Sequence, residues 1–383
     1  MAAEEPNQES ITQSTYIRDL PSTEKTIAYE LLQACETSDI SKVKKILEDD
    51  LLPSYSLQDE DGWTALHYAA TSGSVEVVEK LLQAGALWAM PDHLGHTAGD
   101  VAFSMNDKPI YQLIVSHGLR SEMLRRVLNS KTKSTEEESI SIQSRNEKST
   151  ASDNATFLAS RLTYKTTSTG QDVCIDSEGN GVMLGWEDEI MKKTSELLCA
   201  HQPNSDSFEL SVLNVGFGLG LVDSYLQKFK PHRHVIIEAH PDVLSFMEQK
   251  GWHQKEGVEI YRGRWQDFFA DVQAGQIAAN FDGIYWDTFS ENYDDLKIVF
   301  DNVFDMLSGP KARFSWFHGL GATSVTLYDV YTQIAELDLH DAGFKTVWHE
   351  VNVDGGEAVW EGIRRRYWNI PCPYRLPICM YDM

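Results

Sequence analysis

Apolar and polar residues follow two different periodic patterns in the second half of the chain. Short apolar runs typical of buried strands recur between residues 210 and 319, at LSVLNVG, HVIIEAH, VEIYRG, FDGIYWDTF and RFSWFHG. Amphipathic stretches with helical spacing follow the first, second and last of these runs, at LVDSYLQKF, PDVLSFMEQKG and VTLYDVYTQIAELDLHDAG. Because strands that alternate with helices form mostly parallel sheets, this half predicts an open α/β fold that binds ligands at the strands' carboxyl ends. FKTVWHEVNV and RYWNIPCPY predict two further strands near the C-terminus.

A smaller element precedes this alternation. The strand-like runs RLTYKTT and DVCID flank Thr169 and Gly170, and together they predict a β-hairpin. The next stretch, GVMLGWEDEIMKKTSELLCA, predicts one helix whose core face carries Ile190, Leu197 and Leu198.

The first third of the chain contains an internal repeat. Residues 61–86, DGWTALHYAATSGSVEVVEKLLQAGA, hold a turn, two short amphipathic helical patterns and a glycine. Identical residues recur 33 positions apart, in the pairs Gly62 and Gly95, Thr64 and Thr97, Ala69 and Ala102, and Gly85 and Gly118. ELLQACETSDISKVKKILEDD repeats the helical part upstream. The motif and its period resemble ankyrin repeats, which implies an all-α domain of about three repeats over residues 22–128 that binds proteins.

A segment of different composition follows the repeats. Residues 129–155 are rich in Ser, Thr, Glu and Lys, and Ile140 and Ile142 are their only large apolar residues. Such a composition predicts a flexible linker. The α/β domain, with its N-terminal hairpin and helix, then spans residues 156–383.

Composition and charge exclude several classes of partner. No apolar run of the 383 residues approaches the length of about 20 that a membrane span needs, and the acidic start MAAEEPNQES has no signal-peptide pattern. We therefore expect a protein of the cytoplasm or nucleus without a membrane partner. The net charge of −25 disfavours nonspecific binding to nucleic acid. It suits a basic protein partner, and an effect on solubility alone is the alternative that the charge leaves open.

Cysteine and histidine positions predict no metal site. The five cysteines are scattered without a CxxC pair, so we expect reduced, mostly buried thiols. His232 and His234 have no cysteine or carboxylate at ligand spacing, and we interpret them as part of a surface turn.

A glycine-rich turn marks the candidate ligand site. SVLNVGFGLGLVDSYL, residues 211–226, passes from a strand pattern into Gly216, Gly218 and Gly220 and then into a helical pattern. The spacing G-x-G-x-G is that of S-adenosylmethionine-dependent methyltransferases, whereas the dinucleotide motif requires glycine where Leu221 stands. Glu238 ends the next strand, 18 residues after Gly220, where an acid can accept both ribose hydroxyls. A packed turn without ligand has the same pattern, but the glycines and the acid together favour an adenosine ligand.

Four linked segments resemble guanidinoacetate N-methyltransferase in order and approximate spacing. They are VMLGWEDEIM, LNVGFGLG, IIEAH with GRWQDF, and FDGIYWDTF. With ankyrin repeats in front, the chain resembles type IV protein arginine methyltransferases, the arginine N5-methyltransferases. The resemblance implies a Rossmann-like, S-adenosylmethionine-dependent domain that methylates the delta (N5) nitrogen of arginine. It points to a basic protein, such as a ribosomal protein, as substrate.

The resemblance also implies which residues bind the cofactor. They are Gly216, Phe217, Gly218, Leu219, Gly220 and Leu221 in the turn, Met183 and Met191, then Glu238, Ala239 and His240 at the ribose, Trp265 and Gln266 near adenine, and Asp287. Gln266 stands where the family has an acid, and Asn214 replaces an acid common before the glycines. The family covers the cofactor with an upstream aromatic residue, for which Phe157 and Tyr164 are the candidates.

Two carboxylates match the family's guanidino-binding acids, Glu187 and Asp287. Guanidinium is planar and charged, with a pKa above about 12, and carboxylates bind it bidentately. Carboxylates can also localise the charge on the spectator nitrogens and accept the departing proton. From the residue pattern alone, Glu187 would more often be an exposed helix residue, and Asp287, although better placed at a strand end, could be only a capping residue before Ser290.

Three other functions remain open at this stage. One is methylation of a small guanidino compound. Another is methylation of the terminal arginine nitrogens, but that family's paired-glutamate segment, S-E-x-M-G-x-x-L-L-x-E, is not found. The third is a noncatalytic ankyrin adaptor, against which Glu187, Asp287, Glu238 and the three glycines count.

Overall fold

A computed structural model describes residues 16–48, 55–131, 149–199, 209–353 and 356–382. Its contacts divide the chain into two units, Met1–Thr132 with Ser324–Val330, and Lys133–Thr323 with Tyr331–Met383. Within the described ranges, no helix has both the length and the apolar character that a bilayer crossing requires.

Six helices form the N-terminal part of the first unit. They are α1 (Ser22–Glu36), α2 (Ile40–Leu47), α3 (Ala65–Ser72), α4 (Val75–Ala84), α5 (Ala98–Ser104) and α6 (Lys108–Lys131). α1, α3 and α5 pack side by side in one row, and α2, α4 and α6 pack in a second row. This stack of three helix pairs confirms the predicted ankyrin architecture.

The period of 33 residues has its structural basis in the turns before α3 and α5. Asp59 and Asp92, which are 33 positions apart, each accept two backbone N–H groups from the turn that follows. Thr64 and Thr97 then begin α3 and α5 with capping boxes. These bonds satisfy N–H groups that a helix start would otherwise leave without partners.

One of the predicted repeat pairs is not equivalent in the structure. Gly85 ends α4 in the left-handed conformation, with φ of 99°. Gly118 instead lies within α6, where a Cβ atom would meet the Trp88 ring at 2.8 Å. Glycine at 118 is therefore explained by close packing rather than by a turn.

Both ends of the predicted linker are folded where the structure describes them. α6 continues to Lys131, and a turn at 149–153 leads into α7 (Asn154–Leu158). Thr150 in that turn is buried, and its hydroxyl donates to Asp176 at 2.5 Å. Residues 132–148 of the linker lie outside the described residues. The linker at 129–155 and the boundaries drawn from it stay a prediction.

The second unit alternates strands and helices, and residues 325–330 of its last helix are assigned to the first unit. After α7 come β1 (Thr163–Thr166), β2 (Asp172–Ile175), β3 (Gly181–Leu184), α8 (Asp188–Cys199), β4 (Ser211–Val215), α9 (Leu221–Leu226), β5 (Arg233–Glu238), α10 (Pro241–Gln249), β6 (Val258–Arg262), α11 (Trp265–Gln273), β7 (Gly283–Trp286), α12 (Tyr293–Val303), β8 (Arg313–Trp316), α13 (Val325–Asp341), β9 (Phe344–Val351) and β10 (Tyr374–Tyr381).

Seven strands form the central sheet, in the order β6-β5-β4-β7-β8-β10-β9. The first five pair in parallel, and β10 pairs antiparallel with both β8 and β9. The strand order changes direction at β4, which lies between β5 and β7. In doubly wound sheets, ligands bind beyond the carboxyl end of the strand at such a switch point. The arrangement confirms the predicted α/β fold and draws attention to the glycine turn after β4.

Side chains cover both faces of this sheet. Val235 and Ile237 of β5 pack with Phe300 of α12 in the larger apolar cluster. Ile236 between them points to the other face and packs with Trp252. This alternation with a period of two explains why the strand reads as a continuous apolar run, because both of its faces are buried.

The predicted hairpin is confirmed and belongs to a three-stranded antiparallel sheet of β1, β2 and β3. β3 corrects the prediction of one helix starting at Gly181. Met183 pairs with Cys174 of β2, and α8 begins only at Asp188. Pairing with a neighbouring strand thus overrides a local pattern that was compatible with a helix. Within α8, Ile190 is fully buried as expected.

The second terminal strand lies later in the chain than RYWNIPCPY. β10 begins at Tyr374, after Pro371 and Pro373. Two prolines in three residues remove two ladder donors from the predicted run, whereas β10 contains a single proline, Pro377.

A buried polar network ties β4, α9 and β5 together below the glycine turn. Asn214 Nδ2 donates to Asp223 Oδ2 and to Gly216 O, both at 2.8 Å. Gln227 Nε2 donates to His234 Nδ1, which leaves His234 Nε2–H to donate to Asp223 Oδ1 at 3.0 Å. His234 and Asp223 have no exposed surface. The interpretation of His234 as a surface turn was wrong, because the strand register turns its side chain inward.

We expect Asp223→Ala to lower the free energy of unfolding of the second unit by about 2–6 kcal/mol, because two buried donors lose their acceptor. All ten tryptophans except Trp63 and Trp88 lie in that unit, so urea titration followed by tryptophan fluorescence measures it. Glu196→Ala on the exposed side of α8 is the control, with an expected change below about 0.5 kcal/mol. Equal midpoints for the two variants would show that the network contributes nothing.

Candidate active site

The glycine turn after β4 packs directly against the end of β7. Gly216 has φ of 89°, and a Cβ atom there would lie 1.9 Å from the carbonyl oxygen of Asp287. Gly218 has φ of 55°, and its Cβ would lie 2.7 Å from Met183 Sδ. Side chains at these positions would displace the neighbouring backbone or the Met183 side chain, so only glycine allows this approach. Leu219 N–H also donates to Met183 Sδ at 3.2 Å.

A cavity opens beyond the carboxyl ends of β4, β5 and β7. Its free volume, including the open mouth, is about 660 Å³. Ten of the predicted cofactor residues line it: Phe157, Met183, Gly216, Phe217, Gly218, Glu238, Ala239, Trp265, Gln266 and Asp287. The structure thus brings together residues that are up to 130 positions apart, from Phe157 to Asp287.

Glu238 holds the turn against the end of β5. Its carboxylate accepts the backbone N–H groups of Phe217 at 3.0 Å and His240 at 2.7 Å. Burial raises the pKa of Glu238, and these backbone donors oppose the rise. A carboxylate can accept about four hydrogen bonds, so acceptor capacity remains for hydroxyl groups of a ligand in the cavity.

Six predicted cofactor residues do not line the cavity: Tyr164, Met191, Leu219, Gly220, Leu221 and His240. The Tyr164 hydroxyl donates to the carbonyl of Gly218 at 3.3 Å, and its ring stacks on Phe246 with centroids 4.0 Å apart. Met191 is fully buried on α8. Leu219 lies in the turn, Gly220 is the N-cap of α9, and Leu221 is its first residue.

Of the two aromatic candidates, Phe157 lies on the cavity wall. His240 Nδ1 accepts the N–H of Asp242, so its Nε2–H donates to the carbonyl of Phe157 at 3.1 Å. Burial lowers the pKa of His240, which favours this neutral form. The Phe157 ring also contacts His240 and Phe289, with centroids 4.9 and 4.8 Å apart. His240 therefore positions a cavity residue instead of facing the cavity.

Glu187 is a buried residue, with an exposed fraction of 3%. It accepts the backbone N–H of Leu184 at 2.9 Å and the hydroxyl of Tyr367. Burial raises the pKa of Glu187, and both hydrogen bonds act in the opposite direction. The rings of Trp186 and Trp360 flank Tyr367, with centroids 5.9 and 5.1 Å away. This burial excludes the exposed helix position that the residue pattern allowed for Glu187.

Asp287 directly follows β7. Its Oδ2 atom is enclosed and accepts no hydrogen bond from the described residues. Burial raises the pKa of Asp287 well above its ordinary value, and repulsion from Glu187 raises it further. The Tyr285 hydroxyl lies near enough to oppose this rise, although it is outside hydrogen-bond geometry. No capping role toward Ser290 is seen for this side chain.

The two carboxylates are therefore both buried, and repulsion from Glu187 contributes to the raised pKa of Asp287, but only Asp287 is among the residues that line the cavity. In the part of the chain that the structure describes, no lysine or arginine forms an ion pair with Glu187 or Asp287. Buried charges without a partner are strongly unfavourable. A planar cation that reached both carboxylates would remove this penalty and would use the acceptor capacity of Asp287 Oδ2.

Sequence reasoning missed several residues of the site. Thr288, Phe289 and Glu291 line the cavity, and Tyr367 contacts Glu187. Glu291 had a usable signal, since it lies in the strand-end loop four positions after Asp287. Tyr367 had none, because 180 residues separate it from Glu187.

Sequence comparisons agree with this architecture. The family described as guanidinoacetate N-methyltransferase matches residues 156–313, and ankyrin repeats in three copies match residues 31–123. The protein arginine N-methyltransferase 2 of Cryptococcus neoformans is 38% identical over 375 residues, which cover 94% of this chain and 96% of the relative. The protein of the same name from Aspergillus oryzae is 34% identical over 92% of this chain and 96% of its own. The one from Saccharomyces cerevisiae is 35% identical over 81% of each. The chain therefore belongs to the protein arginine N-methyltransferase 2 family.

Proposed function

We propose that this chain transfers a methyl group from S-adenosylmethionine to the delta (N5) nitrogen of an arginine in a protein substrate. The names of its relatives support methylation of protein arginine. The observation that carries the proposal is the buried pair of Glu187 and Asp287, which lacks a cationic partner among the described residues. The acidic net charge suits a basic substrate, such as a ribosomal protein, and we place the reaction in the cytoplasm or nucleus.

The cavity fits the cofactor on three counts. The bare backbone at Gly216 and Gly218 allows close approach, Glu238 has acceptor capacity for ribose hydroxyls, and Gln266 Oε1 is buried without a partner. When bound, S-adenosylmethionine supplies an electrophilic methyl group.

The carboxylate pair can bind and activate a guanidino group. Each carboxylate can accept two N–H donors from one edge of the planar guanidinium. The edge formed by the two terminal nitrogens binds one carboxylate and favours positive charge there, while the other carboxylate accepts the N–H of the nitrogen that carries the carbon chain, which is the nitrogen that attacks the methyl group. Asp287 has an unused oxygen and a raised pKa, so it is suited to take the proton that this nitrogen loses. Holding the acceptor in line reduces the entropic part of the barrier.

A small guanidino compound is the second candidate substrate. The observation in its favour is the match of residues 156–313 to guanidinoacetate N-methyltransferase. The ankyrin repeats and the full-length similarity to protein arginine N-methyltransferases favour a protein substrate instead.

The product distinguishes these candidates. We expect the purified chain, incubated with methyl-labelled S-adenosylmethionine and a basic protein fraction, to give delta-N-methylarginine after acid hydrolysis. Chromatography with mass spectrometry separates it from its isomer methylated at a terminal nitrogen. Terminally methylated arginine would contradict the N5 assignment. Label found only in small molecules would favour the second candidate.

We expect Glu187→Gln and Asp287→Asn each to lower single-turnover methylation by about a hundredfold or more, through loss of a charge-assisted contact and, for Asp287, of the proton acceptor. Melting temperatures should stay equal or rise, because a buried like charge is removed. The controls are Glu189→Gln and Asp294→Asn, which remove exposed charges nearby. Folded variants with turnover within about threefold of the parent, less than about 0.7 kcal/mol of barrier, would end the proposal.

Tyr367→Phe tests the environment of Glu187 through pH. The Tyr367 hydroxyl lowers the pKa of Glu187, so its removal should raise that pKa further. Guanidinium binding needs ionised carboxylates, and the acidic limb of kcat/KM should therefore move to higher pH by about one unit. Tyr225→Phe is the control, since its hydroxyl donates to Asp188 outside the cavity wall. If Tyr367→Phe lowers the melting temperature but leaves the acidic limb of the kcat/KM profile at the same pH, the role of Tyr367 is purely structural.

A further inference from the structure

The cavity contains a carboxylate for which the sequence resemblance gave no role. Glu291 lies in the loop after β7 and lines the cavity beside Trp265 and Gln266. Its Oε1 accepts Trp265 Nε1–H at 2.6 Å, and its Oε2 accepts the Thr288 hydroxyl at 2.6 Å. Burial raises the pKa of Glu291, and these donors oppose the rise by favouring the ionised form. Glu291 is thus held as an acceptor by donors on two sides.

This carboxylate determines which way the Gln266 side chain faces. Gln266 Nε2 is 3.4 Å from Glu291 Oε1, which it approaches as a donor. The opposite amide orientation would place two acceptor oxygens against each other. Gln266 Oε1 consequently points away from Glu291, where it is buried and has no hydrogen-bond partner in the described part of the chain. A buried oxygen without a partner is unfavourable unless a ligand donates to it.

We propose that Glu291 is a positioning residue for base recognition: it fixes the Gln266 amide so that Oε1 accepts the exocyclic amine of adenine. This inference rests on the S-adenosylmethionine cavity of the proposed function. Gln266 stands where the family resemblance led us to expect an acid, and the acid is supplied from position 291 instead. The pair then selects a base that carries an amino donor over one that carries an oxygen at the same place.

The physical basis of this selection is the fixed direction of the amide. An amide that is free to rotate can offer either its oxygen or its NH2 group, and it accepts both kinds of base. With Glu291 ionised, rotation would bring Gln266 Oε1 against the carboxylate. A base with an oxygen in place of the amine would therefore face an acceptor and leave it without a donor.

Binding of two cofactor analogues tests the inference without turnover. S-adenosylhomocysteine carries the amine, and S-inosylhomocysteine carries an oxygen at the same position. Calorimetric titration of the full chain should show S-adenosylhomocysteine binding about 5- to 150-fold more tightly, the effect of leaving one buried acceptor without a donor. Equal affinities for the two analogues would overturn the inference with the parent protein alone.

Variants then identify the residue responsible. In Glu291→Gln the amide of Gln266 can rotate, so the affinity for S-adenosylhomocysteine should fall, that for S-inosylhomocysteine should rise, and their ratio should drop below about threefold. Gln266→Leu should remove the preference as well, and the double variant should add nothing to it, because both residues act through one contact. Glu259→Gln, on the exposed side of β6, should keep the parent ratio.

Each outcome separates this inference from the proposed function. Failure of the parent chain to bind S-adenosylhomocysteine would reject the cofactor site itself. Tight binding without preference would reject only the role of Glu291. If Glu291→Gln weakens both analogues equally, Glu291 is merely structural and the inference fails. If Glu291→Gln does not fold, Glu291→Asp, which keeps the charge but shortens the side chain away from Gln266 Nε2, should lower the ratio as well, and an unchanged ratio in that variant would reject the role of Glu291.

Discussion

The close approach of the glycine turn to the end of β7 is the constraint on which the site depends. A Cβ atom at Gly216 would come within 1.9 Å of the Asp287 carbonyl, so no other residue permits this packing. The approach places the backbone of the turn on one side of the cavity and the Asp287 carboxylate beside it. Glu238 then fixes the same turn to β5 through the N–H of Phe217. One backbone contact consequently determines the positions of both the cavity wall and the candidate proton acceptor.

Polar groups buried beneath the turn keep that contact in register. Asp223 accepts from Asn214 on β4 and from His234 on β5, so the two strands and α9 share one acceptor. Asn214 also donates to the carbonyl of Gly216, which links the network to the turn itself. Asn214 replaces the acid that the family resemblance led us to expect, and here it donates hydrogen bonds where an acid could only accept. The substitution is therefore consistent with a structural role below the cavity.

Sequence patterns predicted the parts of the fold that are determined by residues close together in the chain. The parallel strands, the glycine turn and Glu238 were found because each carries a short, continuous signal. β3 was mistaken for helix, and Tyr367 was missed, because both are decided by partners far away in the chain. The family resemblance, and not the pattern, placed Met191 at the cofactor; its pattern alone favoured apolar helix packing, and the structure buries this side chain on α8. Periodicity shows which face of an element is apolar, but it does not show which buried residue reaches a cavity.

The carboxylate pair connects the chemistry of the site to the stability of the fold. Burial and mutual repulsion raise the pKa values of Glu187 and Asp287 above those of unfolded carboxyl groups. Between the ordinary and the raised pKa values, the folded chain therefore binds more protons than the unfolded chain. The free energy of unfolding must then fall as pH rises through this range. A guanidinium bound between the carboxylates reverses the effect, because it favours their charged forms. The cost of burying the two carboxylates at neutral pH is thus the cost that, in the proposed reaction, binding of a guanidinium would remove.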